Sequence, residues 1–222
     1  MRIQEHIYQG FFGLKKKEDA GKYYNERVSK LRGFDSDLDA VIDSFQHIME
    51  NHNVKLRKYE EFLHNPTVAN LKQVLHEIQK LEGMFDEDEV SNNRGHRYVL
   101  KNIDRLTTLS NNEESSELKQ LEQENLSDLK ELLRLFESIS PIWQEQIDLE
   151  EHSNPEKMDH ETIRKLSDIF KRESNVLNME ESLLKKIDLK TGTILRKTSL
   201  KQMDIQRTSD MDMKYREIRY VR

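Results

Sequence analysis

The side chains in this sequence with the most chemical potential are carboxylates and imidazoles at helical spacing. In Glu61-Phe62-Leu63-His64 an acid and a histidine stand three residues apart. Such a step shares one helix face and can hold a metal ion, as in carboxylate-bridged centres inside helical bundles. Asp148 with His152, and Glu156 with His160, repeat the idea at a spacing of four. His52, Glu173 and Glu180 interrupt rows that are otherwise apolar, and Asp35, Asp37, Asp39 and Asp43 crowd one short stretch.

Each of these has a plainer explanation. A second Glu-x-x-His step is absent. His64 adjoins an expected helix end, where the dipole favours an imidazolium without any metal. The four aspartates suit the first turns of a helix capped by Asp35 or Ser36. A polar residue such as His52 in a seam sets register or partner number, or pairs with Glu173 or Glu180 from another helix. Ile169, Val176 and Leu183 widen the face that carries both glutamates, which places them at its edge. No catalytic, cofactor-binding or metal residue is therefore assigned, and the expectation is a non-enzymatic protein with no cofactor.

Other chemistries find little footing. The chain has no Cys, no GxGxxG, no Walker-type loop and no Gly-x-Ser-x-Gly elbow. Lys214, Arg216, Arg219 and Arg222 alternate with Tyr215 and Tyr220, a mix that can contact nucleic acid. In a protein of net charge −6 it reads as an ordinary charged tail, and no nucleic-acid partner is expected.

The elements that would position these groups are helices. From Phe34 to Asn65 the residues Leu38, Ile42, Phe45, Met49, His52, Leu56, Tyr59 and Leu63 alternate steps of four and three. That is a heptad seam, a narrow stripe that must be hidden from water. Only 35% of residues are hydrophobic and 35% are charged, a balance that suits a thin bundle with one buried stripe per helix. Seven glycines in 222 residues are too few for a turn-rich β architecture.

Along the chain, residues 1–33 form a basic arm. Ile3, Ile7, Phe11, Phe12 and Leu14 precede Lys15, Lys16 and Lys17, and a short helix from Lys22 to Arg32 stops near Gly33. The bundle proper spans 34–188. Asn65-Pro66, Ser140-Pro141 and Asn154-Pro155 each suit a helix start, with Ser140-Pro141 alternatively a kink within one helix. Pro66 to Phe85 pairs with the preceding helix as an antiparallel hairpin. Residues 86–97 read as a loop ending in Arg94-Gly95-His96-Arg97, Tyr98 to Leu109 as a helix, and 110–116 as another loop. A second seam runs through Leu126, Leu129, Leu133, Phe136, Ser140, Trp143 and Ile147. A third runs through Ile163, Leu166, Phe170, Leu177, Leu184 and Ile187. Residues 189–222 form a basic tail of undetermined structure, in which Met211, Met213 and Tyr215 have a strand-like period.

The expected fold is thus all-α: an elongated antiparallel bundle of five or six helices with coiled-coil-like hairpins. Charge is segregated. Residues 110–161 hold 15 acidic and 4 basic groups, 189–222 hold 4 and 9, and 1–33 hold 4 and 8. The function that follows is an interaction or scaffold protein, working through its seams and complementary charge blocks on a protein partner or on itself. The alternative is a peripheral membrane protein using the basic, aromatic N-terminal arm, and a third reading is a carboxylate metal bundle. With no signal-like segment or membrane-length apolar run, the cytoplasm is the expected location. No small-molecule substrate is indicated.

Overall fold

A computed structural model gives the backbone of residues 2–113, 115–157 and 159–220, and side chains for 19–80, 92–113, 115–157 and 159–211. Four long helices follow one another: α1 (Arg2–His64), α2 (Val68–Asn111), α3 (Ser116–His152) and α4 (His160–Tyr220). A 3-10 turn, Pro155–Lys157, lies between the last two. No strand occurs among the described residues.

The helices are longer than the sequence reading has them. α1 runs unbroken through Gly33, so neither Asp35 nor Ser36 is a cap, and Asp37 instead meets Arg105 at 2.6 Å and Lys101 at 3.2 Å on α2. α2 continues through residues 86–97, where loops were expected. Gly95 serves packing there: a Cβ at this position would lie 3.1 Å from the Phe136 ring. α4 likewise runs through Gly192 to Tyr220, so the segment that shows a strand-like period at Met211, Met213 and Tyr215 is helical. Glycine costs a helix only about 1 kcal/mol, which a long buried seam easily outweighs.

Proline behaves more predictably. Pro66 sits in the short connection that ends α1, but the cap of α2 is Thr67, whose hydroxyl accepts from Asn70 N at 3.2 Å. Pro155 opens the 3-10 turn, and Asp159 caps α4 through Glu161 N. Pro141 lies inside α3, so Ser140-Pro141 does not start a helix.

Consecutive helices pack antiparallel and α4 closes the square against α1. The diagonal pairs α1–α3 and α2–α4 have no close backbone approach among the described residues. The inner seam of α1 is Leu31, Phe34, Leu38, Val41, Phe45, Ile48, His52, Lys55, Tyr59 and Phe62. Steps of three and four alternate throughout, as expected. One of the two rows, however, is displaced by a residue: Val41, Ile48, Lys55 and Phe62 are buried rather than Ile42, Met49, Leu56 and Leu63. Leu63 is 51% exposed. α3 shows the same displacement, with Asn125, Leu132, Ile139 and Gln146 inside instead of Leu126, Leu133, Ser140 and Ile147. The cause is polar residues on the true rows. Lys55, Asn125 and Gln146 made the adjacent rows look more apolar, while Ile42, Met49, Leu126 and Leu133 pack from the flank. A helix touching two neighbours buries a face wider than one heptad line.

Candidate functional site

The inner seam of α4 carries Glu173 and Glu180 one heptad apart. Both are 1% exposed, so neither lies at the edge of the face as expected. Their surroundings are opposite in kind.

Glu173 is the hub of a network drawn from three helices. Lys55 Nζ on α1 donates to its Oε1 at 2.6 Å, and His52 Nδ1 lies 3.1 Å from its Oε2. From α3, Trp143 Nε1 donates to Oε1 at 2.9 Å and Gln146 Nε2 to Oε2 at 2.6 Å. Lys55 also donates to Gln146 Oε1 at 3.0 Å, so one ammonium spans the α1–α3 diagonal. Burial alone would raise the Glu173 carboxyl. The Lys55 charge, with His52 beside it, overrides this and holds it at about 2. His52 Nε2 lies 3.0 Å from Ser174 Oγ, which itself donates to Phe170 O at 2.8 Å. The His52–Glu173 pairing considered from sequence is present. Lys55 was missed, because a lysine on a seam reads as a surface residue.

Glu180 has no such company. Among the described residues neither carboxylate oxygen has a hydrogen-bond partner, and burial raises its carboxyl to about 8. Glu180 and His52 do not form one cluster. Two turns of helix separate Glu180 from the Glu173 network.

A second buried ionic group closes the other end of the bundle. Arg27 on α1, 1% exposed, donates to Leu109 O at 2.8 Å, pairs with Glu113 Oε2 at 3.0 Å and contacts Glu122 on α3. Tyr23 OH donates to Asn112 O at 2.6 Å beside it. Burial holds the Glu122 carboxyl above its usual range despite Arg27. Between the ionic layers, Asn125 Nδ2 donates to Thr191 Oγ1 at 3.0 Å.

The metal candidates do not converge. Phe62 is buried, while Glu61 pairs with Lys58 and His64 Nδ1 lies 2.8 Å from Glu60 O at the helix end. His152 Nδ1 is 2.6 Å from the backbone of Asp148, and Glu156 pairs with Lys72. Among the described residues no three acids or histidines are placed to share a metal ion. A groove of about 690 Å³ between α3 and α4 has charged walls of both signs, and its Arg172 is held by Glu145 and Asp168. Good small-molecule sites are mostly apolar with few polar anchors. The side chains of Lys214, Tyr215, Arg216, Arg219, Tyr220 and Arg222, and those of Ile3, Ile7, Phe11, Phe12, Leu14 and Lys15 to Lys17, lie outside the described residues.

The charge blocks do meet within the chain. Lys190 binds Asp128 at 2.7 Å, Lys201 approaches Glu113 at 4.0 Å, and Lys197 pairs with Glu117. The outer side of α4 carries a different pattern. Leu189, Gly192, Arg196, Leu200, Met203, Arg207 and Met211 are all exposed. Leu189 is 73%, Leu200 51%, Met203 52% and Met211 59% exposed. Their spacing repeats every eleven residues, a period that holds a row on one side of a helix with a slight drift opposite to that of a heptad. The inward heptad misses this row altogether.

The chain matches no known family model, and neither a similar curated protein nor a similar solved structure is found for it.

Proposed function

We propose that the protein is a non-enzymatic interaction protein, a helical rod whose outer α4 face engages protein surfaces. The observation that carries this is the exposed row from Leu189 to Met211. Four large apolar side chains lie in line there with two arginines, whereas isolated exposed apolar residues would call for no explanation. The seams, first considered as binding surfaces, are consumed inside the chain and hold the rod together. The cytoplasm is the proposed setting for this Cys-free chain.

A photo-crosslinking residue installed at Leu200 tests the reading in cells. Covalent adducts at Leu200, and none at exposed Thr108 on α2, are expected. Equal labelling at both positions would count against it.

A second reading, peripheral contact with anionic membranes, draws support from the topology. Tyr23 of α1 and Lys201 of α4 flank the α2–α3 connection, Gln202 donates to Asn25 at that level, and both helices extend further, α1 back to Arg2 and α4 on to Tyr220. The two basic ends of the sequence therefore gather at one end of the rod. No helix among the described residues is long and apolar enough to cross a membrane. Vesicles containing anionic lipid should co-float with the full chain and not with one lacking residues 1–17; equal flotation would remove this reading.

A further inference from the structure

We infer that the outer face of α4 binds the same face of a second copy, antiparallel, about a two-fold axis at Leu200. This rests on the reading of that face as an interaction surface and names its occupant.

The evidence is the self-complementarity of the row. In a two-fold antiparallel pair, residues equally distant from the axis stand at the same height on opposite helices. Leu200 then meets Leu200 of the other copy. Leu189 and Met211, each eleven residues away, face one another, so apolar meets apolar at both ends as well as at the centre. Arg196 and Asp204, each four residues away, stand opposite in sign at the same height, within reach of the long arginine side chain. Gly192 stands at the height of Thr208, and outside its own helix turn no described atom lies within 4 Å of a Cβ built at Gly192. Arg196 and Asp204 are both exposed, and among the described residues neither has an ion-pair partner in its own chain.

The alternatives are worse. A parallel pair in register sets Arg196 on Arg196 and Arg207 on Arg207. Moving the axis to bring Leu200 against Met203 sets Arg196 on Arg207. The antiparallel arrangement about Leu200 joins Leu200 to itself, Leu189 to Met211 and Arg196 to Asp204, and sets Met203 and Arg207 opposite Lys197 and Thr193, with no like charges at the same height within the row. The row spans 22 helical steps, about 33 Å. One helix face of that length is small for a permanent interface, which places the dimer among weak and reversible associations.

The intact chain, free of Cys, makes the test direct. Sedimentation equilibrium from about 1 to about 200 µM, the range in which so small an interface dissociates, should show the mass rising from 26.5 kDa toward twice that value. Leu200→Cys should be joined to itself by a short bis-maleimide. Leu189→Cys and Met211→Cys should each fail alone and cross-link when mixed. Arg196→Asp or Asp204→Arg should each weaken association about tenfold, since each removes two surface pairs, and the double exchange should restore it. A mass that stays monomeric, or a dimer in which Leu200→Cys does not cross-link, would overturn the proposal. A monomer whose Leu200 photo-adduct contains a different protein would sink the dimer and leave the interaction reading standing. A monomer with no adduct at Leu200 would sink both.

Discussion

Replacing Glu180 with Leu should make the protein more stable, and increasingly so as pH rises. Glu180 lies on the inner seam of α4, 1% exposed, with both oxygens unpartnered among the described residues. Its carboxyl is raised from 4.5 to about 8, and burial is the cause. In the unfolded chain the group loses its proton near 4.5, while in the folded chain it keeps it until about 8. Between those values the folded state holds the extra proton, so stability falls as pH rises, by about 1.4 kcal/mol for each pH unit. Across the whole window this amounts to roughly 5 kcal/mol, a large part of the stability of an ordinary domain. Below 4.5 both states are protonated and the penalty vanishes. Leucine carries no proton and fits the apolar layer, and Glu180→Gln removes the charge while keeping the shape. Urea unfolding at pH 5, 6, 7 and 8 for the three proteins is the assay. The quantity to read is the difference between wild type and each variant, because histidines titrate in all three. The advantage of both variants should grow by roughly 3 kcal/mol or more between pH 5 and pH 8. Parallel curves would refute the reasoning, and would mean that the ionised carboxylate is solvated or paired.

Glu173 should behave in the opposite sense. Its folded value of about 2 lies below that of the unfolded group, so its contribution is present above 4.5 and lost as pH falls toward 2; Glu173→Gln should flatten the acid limb of wild-type stability. Lys55→Met leaves Glu173 buried without its principal counter-charge and should cost about 3–5 kcal/mol, most of it recovered when Glu173→Leu is added, as denaturant midpoints would show. His52→Leu should cost less, because Lys55 still faces Glu173. Gly192→Ala should raise the melting temperature, gaining about 1 kcal/mol of helix propensity in open space. Gly95→Ala should forfeit that gain against the Phe136 ring; equal melting shifts for the two variants would contradict the packing described. Arg27→Met should destabilise the α2–α3 end by about 3–5 kcal/mol, since Glu113 and Glu122 would lose their shared cation, and amide exchange near Leu109 would report it.

All-α architecture, antiparallel hairpins and a heptad period were legible in the sequence, because apolar spacing reports the helix face whatever its neighbours are. One row of each seam on α1 and α3 could also be read directly: Leu38, Phe45, His52 and Tyr59, and Leu129, Phe136 and Trp143. The second row could not, since Lys55, Asn125 and Gln146 are core residues only by virtue of what faces them. Helix ends at Gly33 and near Gly95 were misjudged for a related reason. Local propensity marks those positions as weak, and the decision belonged to packing, as the Phe136 ring over Gly95 shows. Glu173 and Glu180 are the same residue type on the same row. Their opposite protonation follows from Lys55, His52, Trp143 and Gln146 converging on the first and no described side chain pairing with the second, a difference that exists only once four helices are side by side.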